Sequence, residues 1–209
     1  MLHVSRVSWE TEAELWQVGY TRIAGVDEAG RGALAGPVVA AAVVFPPGTA
    51  IPKIDDSKRL TPDVREALFQ QIANTASGIS VGYSDAEVID DVNIRQGTLL
   101  AMQAAVRDLP CLAEFLLIDG RDGVPSVLPQ RMIVRGDQTV GSIAAASIVA
   151  KVTRDRLMER LDRQFPGYGF AQHKGYGTTA HLHALQLFGP STIHRKTFKG
   201  VACKADFRG

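Results

Sequence analysis

The stretch "IAGVDEAGRGALAGPVVAAAVVF", residues 23–45, decides the fold. "RIAGVDE" (22–28) reads as a strand that runs into a glycine-rich turn. "PVVAAAVVF" (37–45) reads as a second strand. It is short, rich in valine and alanine, and bounded by Pro37 and Pro46-Pro47, the pattern of a strand buried on both faces. Two strands joined by such a turn make a hairpin. The hairpin carries an oddity: two carboxylates, Asp27 and Glu28, stand directly before the turn. Glycine turns often hold phosphates, and two negative charges repel one.

Outward from this hairpin, strands and helices alternate. A short helix is expected over 10–18. Thr61 as N-cap and Pro62 at the first helical position open a helix through residue 76. "GISVGYS" (78–84) is a strand, and "NIRQGTLLAMQAAVRDL" (93–109) an amphipathic helix. "EFLLIDG" (114–120) and "RMIVRGDQ" (131–138) are short strands that each end near an acid and a glycine. The longest helix is expected over 140–165. Its positions Val140, Ile143, Ala144, Ile148, Val152, Met158 and Leu161 fall mostly at three- and four-residue steps. A glycine-rich loop, "GYGFAQHKGYGT", and a short helix, "TAHLHALQLFG", follow Pro166. With no internal repeat and no low-complexity linker, 209 residues form one α/β domain, residues 1–209, with a helical C-terminal portion from about 166.

Composition sets bounds on function. The formal net charge is +1, so any nucleic-acid surface must be local. Cys111 and Cys203 are far apart and form no CxxC, which suggests neither a disulfide framework nor a cysteine zinc site. Reduced thiols fit a cytoplasmic protein. The opening residues carry acids and lack a long apolar core, so neither a signal nor a transit peptide is expected, and no run is long enough for a membrane helix.

The acids carry the chemistry. Asp27-Glu28, Asp119 and Asp137 lie at three strand ends, and adjacent strands bring their ends together. Four crowded carboxylates would repel one another. A pair of divalent cations removes the repulsion, and Mg2+ or Mn2+ suits carboxylate oxygens and substrate phosphates. The acids then recruit a phosphate through metal instead of repelling it, and two such ions suit phosphoryl chemistry. Any one acid alone would read as a turn or solvated residue; Asp137 could simply lead into the following helix. The adjacent pair inside an apolar strand is harder to explain that way, because a half-buried carboxylate without a partner is costly.

Gly30-Arg31-Gly32 with Ala35 also satisfies the dinucleotide spacing G-x-G-x-x-A. That fingerprint must open a helix, whereas Pro37 and a valine-rich run follow here. Backbone recognition is the better use. Glycines let main-chain groups approach a ligand closely, and a 2′-hydroxyl, both donor and acceptor, is a ligand such groups can read. A tight hairpin turn with no ligand would leave the same signature.

Together "IAGVDEAGRGALAGPVVAAAV", "DDSKRLT", "LLIDG", "GDQTVGSIAAASIVAKVTRD" and "GYGFAQHKGYGTTAHLHAL", followed by "GPSTIHRKTF", resemble the bacterial type 2 ribonucleases H, ribonuclease HII, in the family's order from about residue 23 to 198. The long N-terminal extension of the type 3 enzymes is missing, which favours type 2. The resemblance implies a ribonuclease H-like fold: a mixed five-stranded sheet flanked by helices, with extra C-terminal helices. It implies a monomeric, Mg2+- or Mn2+-dependent endonuclease, with two ions per site during catalysis. It would act on the RNA of RNA–DNA hybrids and cut 5′ to single ribonucleotides in duplex DNA, leaving 3′-hydroxyl and 5′-phosphate ends. Asp27, Glu28, Asp119 and Asp137 match the catalytic, metal-binding acids. Gly30, Arg31 and Gly32 match the motif that reads the 2′-hydroxyl, and Tyr176 the tyrosine that stacks on the neighbouring deoxyribose. Ala33 stands where the family pattern has proline, which could loosen the turn slightly.

Lys58, in "DDSKRL", is tipped toward a phosphate contact by the same resemblance. Asp155 lies four residues after Lys151, so it reads equally as an i,i+4 partner or as an outer acid near the metals. The spacing of His173, His181, His183 and His194 fits no zinc site, which points to helix-surface or substrate-phosphate roles. The basic tail from Arg195 and the Arg/Lys face of the long helix are candidate duplex contacts. Two other functions compete with the nuclease: a non-catalytic binder of hybrid duplexes, which leaves the acids unexplained, and a nucleotide-binding enzyme built on the glycine turn.

Overall fold

A computed structural model of the chain describes residues 6–201. At its centre is a five-stranded sheet of order β3-β2-β1-β4-β5, with β1 Ile23–Ala29, β2 Val38–Val44, β3 Gly78–Ser84, β4 Phe115–Asp119 and β5 Gln130–Ile133. The first three strands form an antiparallel meander, while β4 runs parallel to β1 and β5 parallel to β4. The sheet is therefore mixed, as expected. All seven residues of β2 are buried, which explains its unbroken apolar run: helices cover both of its faces.

Alternation along the strands sends Ala24, Val26, Ala40, Ala42, Leu116 and Ile118 to one face. There they meet Ile89, Ala101, Met102 and Ala105 of helix α3, Ala86–Arg107. Ala41 and Val43 point the other way, onto α2 (Pro62–Thr75) and α4 (Gly141–Gln164). Alanines on both β2 and α4 let helix and sheet approach closely. Gly25 marks the limit: a Cβ there would lie 2.2 Å from the carbonyl carbon of Ser142, inside backbone that cannot yield.

The helix termini follow local rules. Thr61 Oγ1 accepts the amide of Val64 and Pro62 opens α2, as its sequence predicts. The N-terminus of α4 is capped from a distance: Glu12, on α1 (Glu10–Gln17), is buried and accepts the amide of Ser142 at 2.7 Å. A carboxylate suits the positive end of a 24-residue helix.

Two expectations need correction. Helix α3 starts at Ala86, well before residue 93, with Asp85 as N-cap, and it kinks at Asn93, whose φ is +69°. The Asn93 side chain accepts the amides of Arg95 and Gln96, so residue 93 caps the second half of a bent helix. The loop after Pro166 also contains a one-turn helix, α5 (Phe170–His173), before α6 (Thr179–Phe188). Cys203 and the tail residues Lys204, Asp206 and Arg208 lie outside the described residues. Among the described residues, no helix is long and apolar enough to cross a membrane.

Candidate active site

The register builds the acidic cluster. Val26 of β1 pairs with Ile118 of β4, so Asp27 and Asp119 fall side by side one residue further on. Glu28 follows on the same strand. Ligand atoms of Asp27, Glu28 and Asp119 all lie within 4.8 Å of one another, and Asp27 is buried. After β5 the chain makes a single 3-10 turn, Gly136–Gln138. The amide of Gly136 donates to Asp119 Oδ1 at 2.7 Å, which fixes that carboxylate.

Burial comes first in pushing the Asp27 carboxyl well above its usual range, followed by the charges of Glu28, Asp119 and Asp137. Burial also raises Glu28, against the pull of Arg31, whose guanidinium lies 3.6 Å away. Asp119 is raised by burial and then by Asp137. Three hard oxygen donors, gathered in a half-dry site and short of positive charge, suit a divalent cation.

Asp137 takes a different place. It is buried beside the cluster but is not one of the three residues that share a ligand sphere. Its carboxylate accepts from Lys58 Nζ at 2.9 Å. Lys58 Nζ also lies 4.0 Å from Asp56, so its ammonium reaches two acids while most of its side chain stays exposed.

The residues of the glycine turn adjoin this cluster. Gly30, Arg31, Gly32, Lys58 and Tyr176 line the same cleft of about 490 Å³ as Asp27, Glu28 and Asp119. The segment after the turn is β2, a strand, so the turn opens no helix and the dinucleotide reading fails on structure as well as on sequence. Gly30 has φ +90°, and a Cβ there would overlap the side chain of Arg154. Ala33, in the family's proline position, donates its amide to Gly30 at 3.2 Å, a bond that proline lacks.

The turn is held from behind by residues that sequence reasoning misplaced. Arg195 belongs to no solvated basic tail; it is fully buried. It donates to the carbonyls of Gly30 (2.8 Å), Arg31 (2.9 Å) and Gly36 (2.8 Å). Arg154, on α4, is equally buried and donates to Ala35, Pro37 and Lys174. Burial, and then the charge of Arg154, lower the basicity of Arg195, yet a guanidinium keeps its proton. In a planar trans peptide the N–H points opposite to the C=O. Drawing the Gly30 and Arg31 carbonyls toward Arg195 therefore aims the amides of Arg31 and Gly32 away from it.

The remaining residues divide clearly. Asp155 pairs with Lys151 at 2.7 Å and with Arg65 at 3.6 Å, two residues that line the cleft, and it is not one of the three clustered acids. Of the histidines expected on a helix surface or at a substrate phosphate, His183 is exposed on α6, whereas His181 and His194 are buried and bonded to each other and so lie on no surface. Ser57 and Ser147, buried and 2.8 Å apart, line the cleft with Lys151 and Arg65; both lie in the quoted stretches "DDSKRLT" and "GDQTVGSIAAASIVAKVTRD", where a lone serine carries no chemical signal of its own. Lys196 and Lys199 are exposed.

Comparison with known proteins agrees with this geometry. A family model described as Ribonuclease HII matches residues 24–201. Ribonuclease HII of Geobacter sulfurreducens is 55% identical over 193 residues, covering 92% of this chain and 89% of the relative. Ribonuclease HII of Geobacter metallireducens is 54% identical over 196 residues, 94% of this chain and 92% of the relative. Among solved structures, ribonuclease H2 from Pyrococcus horikoshii superposes with a TM-score of 0.75 at 25% identity, covering 86% of this chain and 95% of that one.

Proposed function

The chain belongs to the ribonuclease HII family, and on that premise we propose that it cuts on the 5′ side of single ribonucleotides embedded in duplex DNA. Membership makes it a metal-dependent endoribonuclease that acts on the RNA of RNA–DNA hybrids. The finer reading rests on one observation: the turn Gly30–Gly32 and Tyr176 share a cleft with the three clustered acids.

Asp27, Glu28 and Asp119 would hold the cation, Mg2+ or Mn2+, with Asp137 completing the set when two ions are present. Bound there, divalent ions supply an activated water and charge neutralisation at the phosphodiester. The chain itself supplies position. The amides of Arg31 and Gly32, turned away from Arg195, are donors suited to the 2′-hydroxyl, which DNA lacks. Tyr176, on a loop at the mouth of the cleft, offers a ring to the neighbouring deoxyribose. Water adds to the phosphorus, the bond to the 3′-oxygen breaks, and the products carry 3′-hydroxyl and 5′-phosphate ends.

The test uses a DNA duplex with one ribonucleotide, incubated with the protein in magnesium, in manganese or in chelator, with the ends mapped. Metal-dependent cutting 5′ to the ribonucleotide is expected. Asp27→Asn or Asp119→Asn should abolish it while the fold persists, and wild-type rates in either variant would refute the site. Cutting of long hybrids alone would leave the acids in place and remove the junction role of Gly30–Gly32 and Tyr176.

A further inference from the structure

Behind the loop that carries Tyr176 lies a cluster of three imidazoles. His173 and His181 stack with centroids 4.4 Å apart, and the ring of His194 lies 5.2 Å from that of His181. His181 and His194 are buried. Both ring nitrogens of all three are engaged, and the partners fix which nitrogen carries the proton.

The assignment starts from groups with no choice. The backbone amide of Ser191 can only donate, and it lies 2.9 Å from His194 Nδ1, so that nitrogen accepts. A neutral His194 then carries its proton on Nε2, which faces His181 Nε2 at 3.0 Å. His181 Nε2 must accept, which places the His181 proton on Nδ1. From there it donates to the carbonyl of Tyr176 at 3.0 Å. The carbonyl can only accept, so the chain of donors agrees at both ends. His173 is fixed in the same way: Nδ1 accepts the amide of Gly175 at 3.2 Å, and Nε2 donates to the carbonyl of Tyr168 at 2.8 Å.

The relay is tied to the other wall of the cleft. His194 bridges to Ala35 in antiparallel fashion, and Arg195 donates its amide to the carbonyl of Leu34 at 2.9 Å. The amide of Leu34 in turn donates to Gly175 at 2.8 Å. The tautomer of His181 is thus set from both sides, by the Tyr176 carbonyl, which also accepts the amide of Thr178 at 2.8 Å, and by His194, which leaves His181 Nε2 as the acceptor.

We propose that His181, held in its Nδ1–H tautomer by His194, is a positioning residue for Tyr176: the relay from Ser191 through His194 and His181 fixes the Tyr176 peptide and so sets where its ring meets the sugar next to a ribonucleotide. This rests on the reading of Tyr176 as the stacking residue.

Two measurements test it. Long-range proton–nitrogen correlation on the wild-type protein reads the tautomers directly. The proton is expected on Nδ1 of His181 and on Nε2 of His194; a His181 protonated on Nε2 overturns the proposal, whatever the variants do. The second measurement is the ratio of initial rates on a single-ribonucleotide duplex and on a long hybrid. Catalysis common to both substrates cancels in this ratio. His194→Leu, which cannot donate, should lower the ratio at least about tenfold. His194→Gln, whose amide nitrogen can reach the Nε2 position, should restore it to within about threefold. Tyr176→Ala should lower the ratio as far as His194→Leu, and the double variant no further. A folded His194→Leu with an unchanged ratio, beside a Tyr176→Ala that lowers it, overturns the relay alone. An unchanged ratio in Tyr176→Ala removes the stacking reading and the proposal with it. If His194→Leu does not fold, the wild-type tautomers and the Gln variant decide.

Discussion

Replacing Asp27 by asparagine should stabilise the metal-free protein while abolishing its activity. Asp27 is buried among like charges, with ligand atoms of Glu28 and Asp119 within 4.8 Å. At that separation and an effective dielectric of about 20, each ionised pair repels by about 3 kcal/mol. Relaxation and partial protonation reduce this, so we expect a net gain of about 2 kcal/mol, or about 4–8 °C in Tm for a chain of this size. The sign depends on pH. The carboxyl of Asp27 is raised in the folded state, so the unfolded chain loses this proton first as pH rises. The penalty on the wild type is absent below the ordinary carboxylate pKa of about 4 and grows as pH climbs toward the raised folded value. The gain from Asn should therefore be near zero at pH 4 and largest at pH 8. The assay is thermal unfolding in chelator at both pH values, repeated with Mg2+ or Mn2+. A cation at 100 times its Kd stabilises the wild type by about 2.7 kcal/mol, enough to erase the advantage of the variant. An Asn variant no more stable than wild type in chelator at pH 8 would show that the acids are not a strained, preformed cation site.

Acid should weaken the fold through the histidine relay as well. Burial, and then the charge of His181, bring His194 down to about 4 from an ordinary 6.5. The unfolded chain binds this proton first, so stability falls by about 3 kcal/mol as pH drops from 6.5 to 4, and denaturant titrations of His194→Gln should lack that component. Gly30→Ala should disable the turn: φ is +90° and the new Cβ would overlap Arg154, so the variant should lose more than about 2 kcal/mol in denaturant unfolding and its discrimination against all-DNA duplex. Ala33→Pro should be close to neutral, within about 1 kcal/mol. It loses the amide bond to Gly30 but restricts the unfolded chain, and a large effect of either sign in the same titration would mean that Ala33 does something else.

The sheet was readable because its signals are local. Valines and alanines between prolines mark β2, and alternation in "GISVGYS" gives β3 to the residue. Thr61-Pro62 marks the start of α2 for the same reason: cap chemistry acts within one turn. The start of α3 was obscured because Asn93 caps a helix in the middle of a longer one, and a cap in the sequence looks like a beginning. Glu12 shows the opposite case. Its role as a cap for α4 spans 130 residues, and no periodicity reports a hydrogen bond of that reach.

Within the site, the acids were legible and their supports were not, and the reason is electrostatic. A carboxylate beside a glycine turn announces a cost that something must offset, so the cation follows from the residue types alone. Arginine usually faces water and histidine often does, and in sequence Arg154, Arg195, His181 and His194 read as a basic face and tail and as imidazoles on a helix surface or at a substrate phosphate. In the fold each is buried and spends its donors on main-chain carbonyls or on another ring. What makes these positions tolerable is the supply of carbonyls with acceptor capacity to spare in a loop outside the helices and the sheet. A turn such as residues 30–37 has main-chain oxygens left over because its glycines and tight bends prevent regular pairing. Buried guanidinium groups satisfy them while keeping water out. The glycines that shape the turn thus also create the need for the arginines, which is why the carbonyls of Gly30, Arg31 and Gly36 converge on one side chain 159 to 165 positions away.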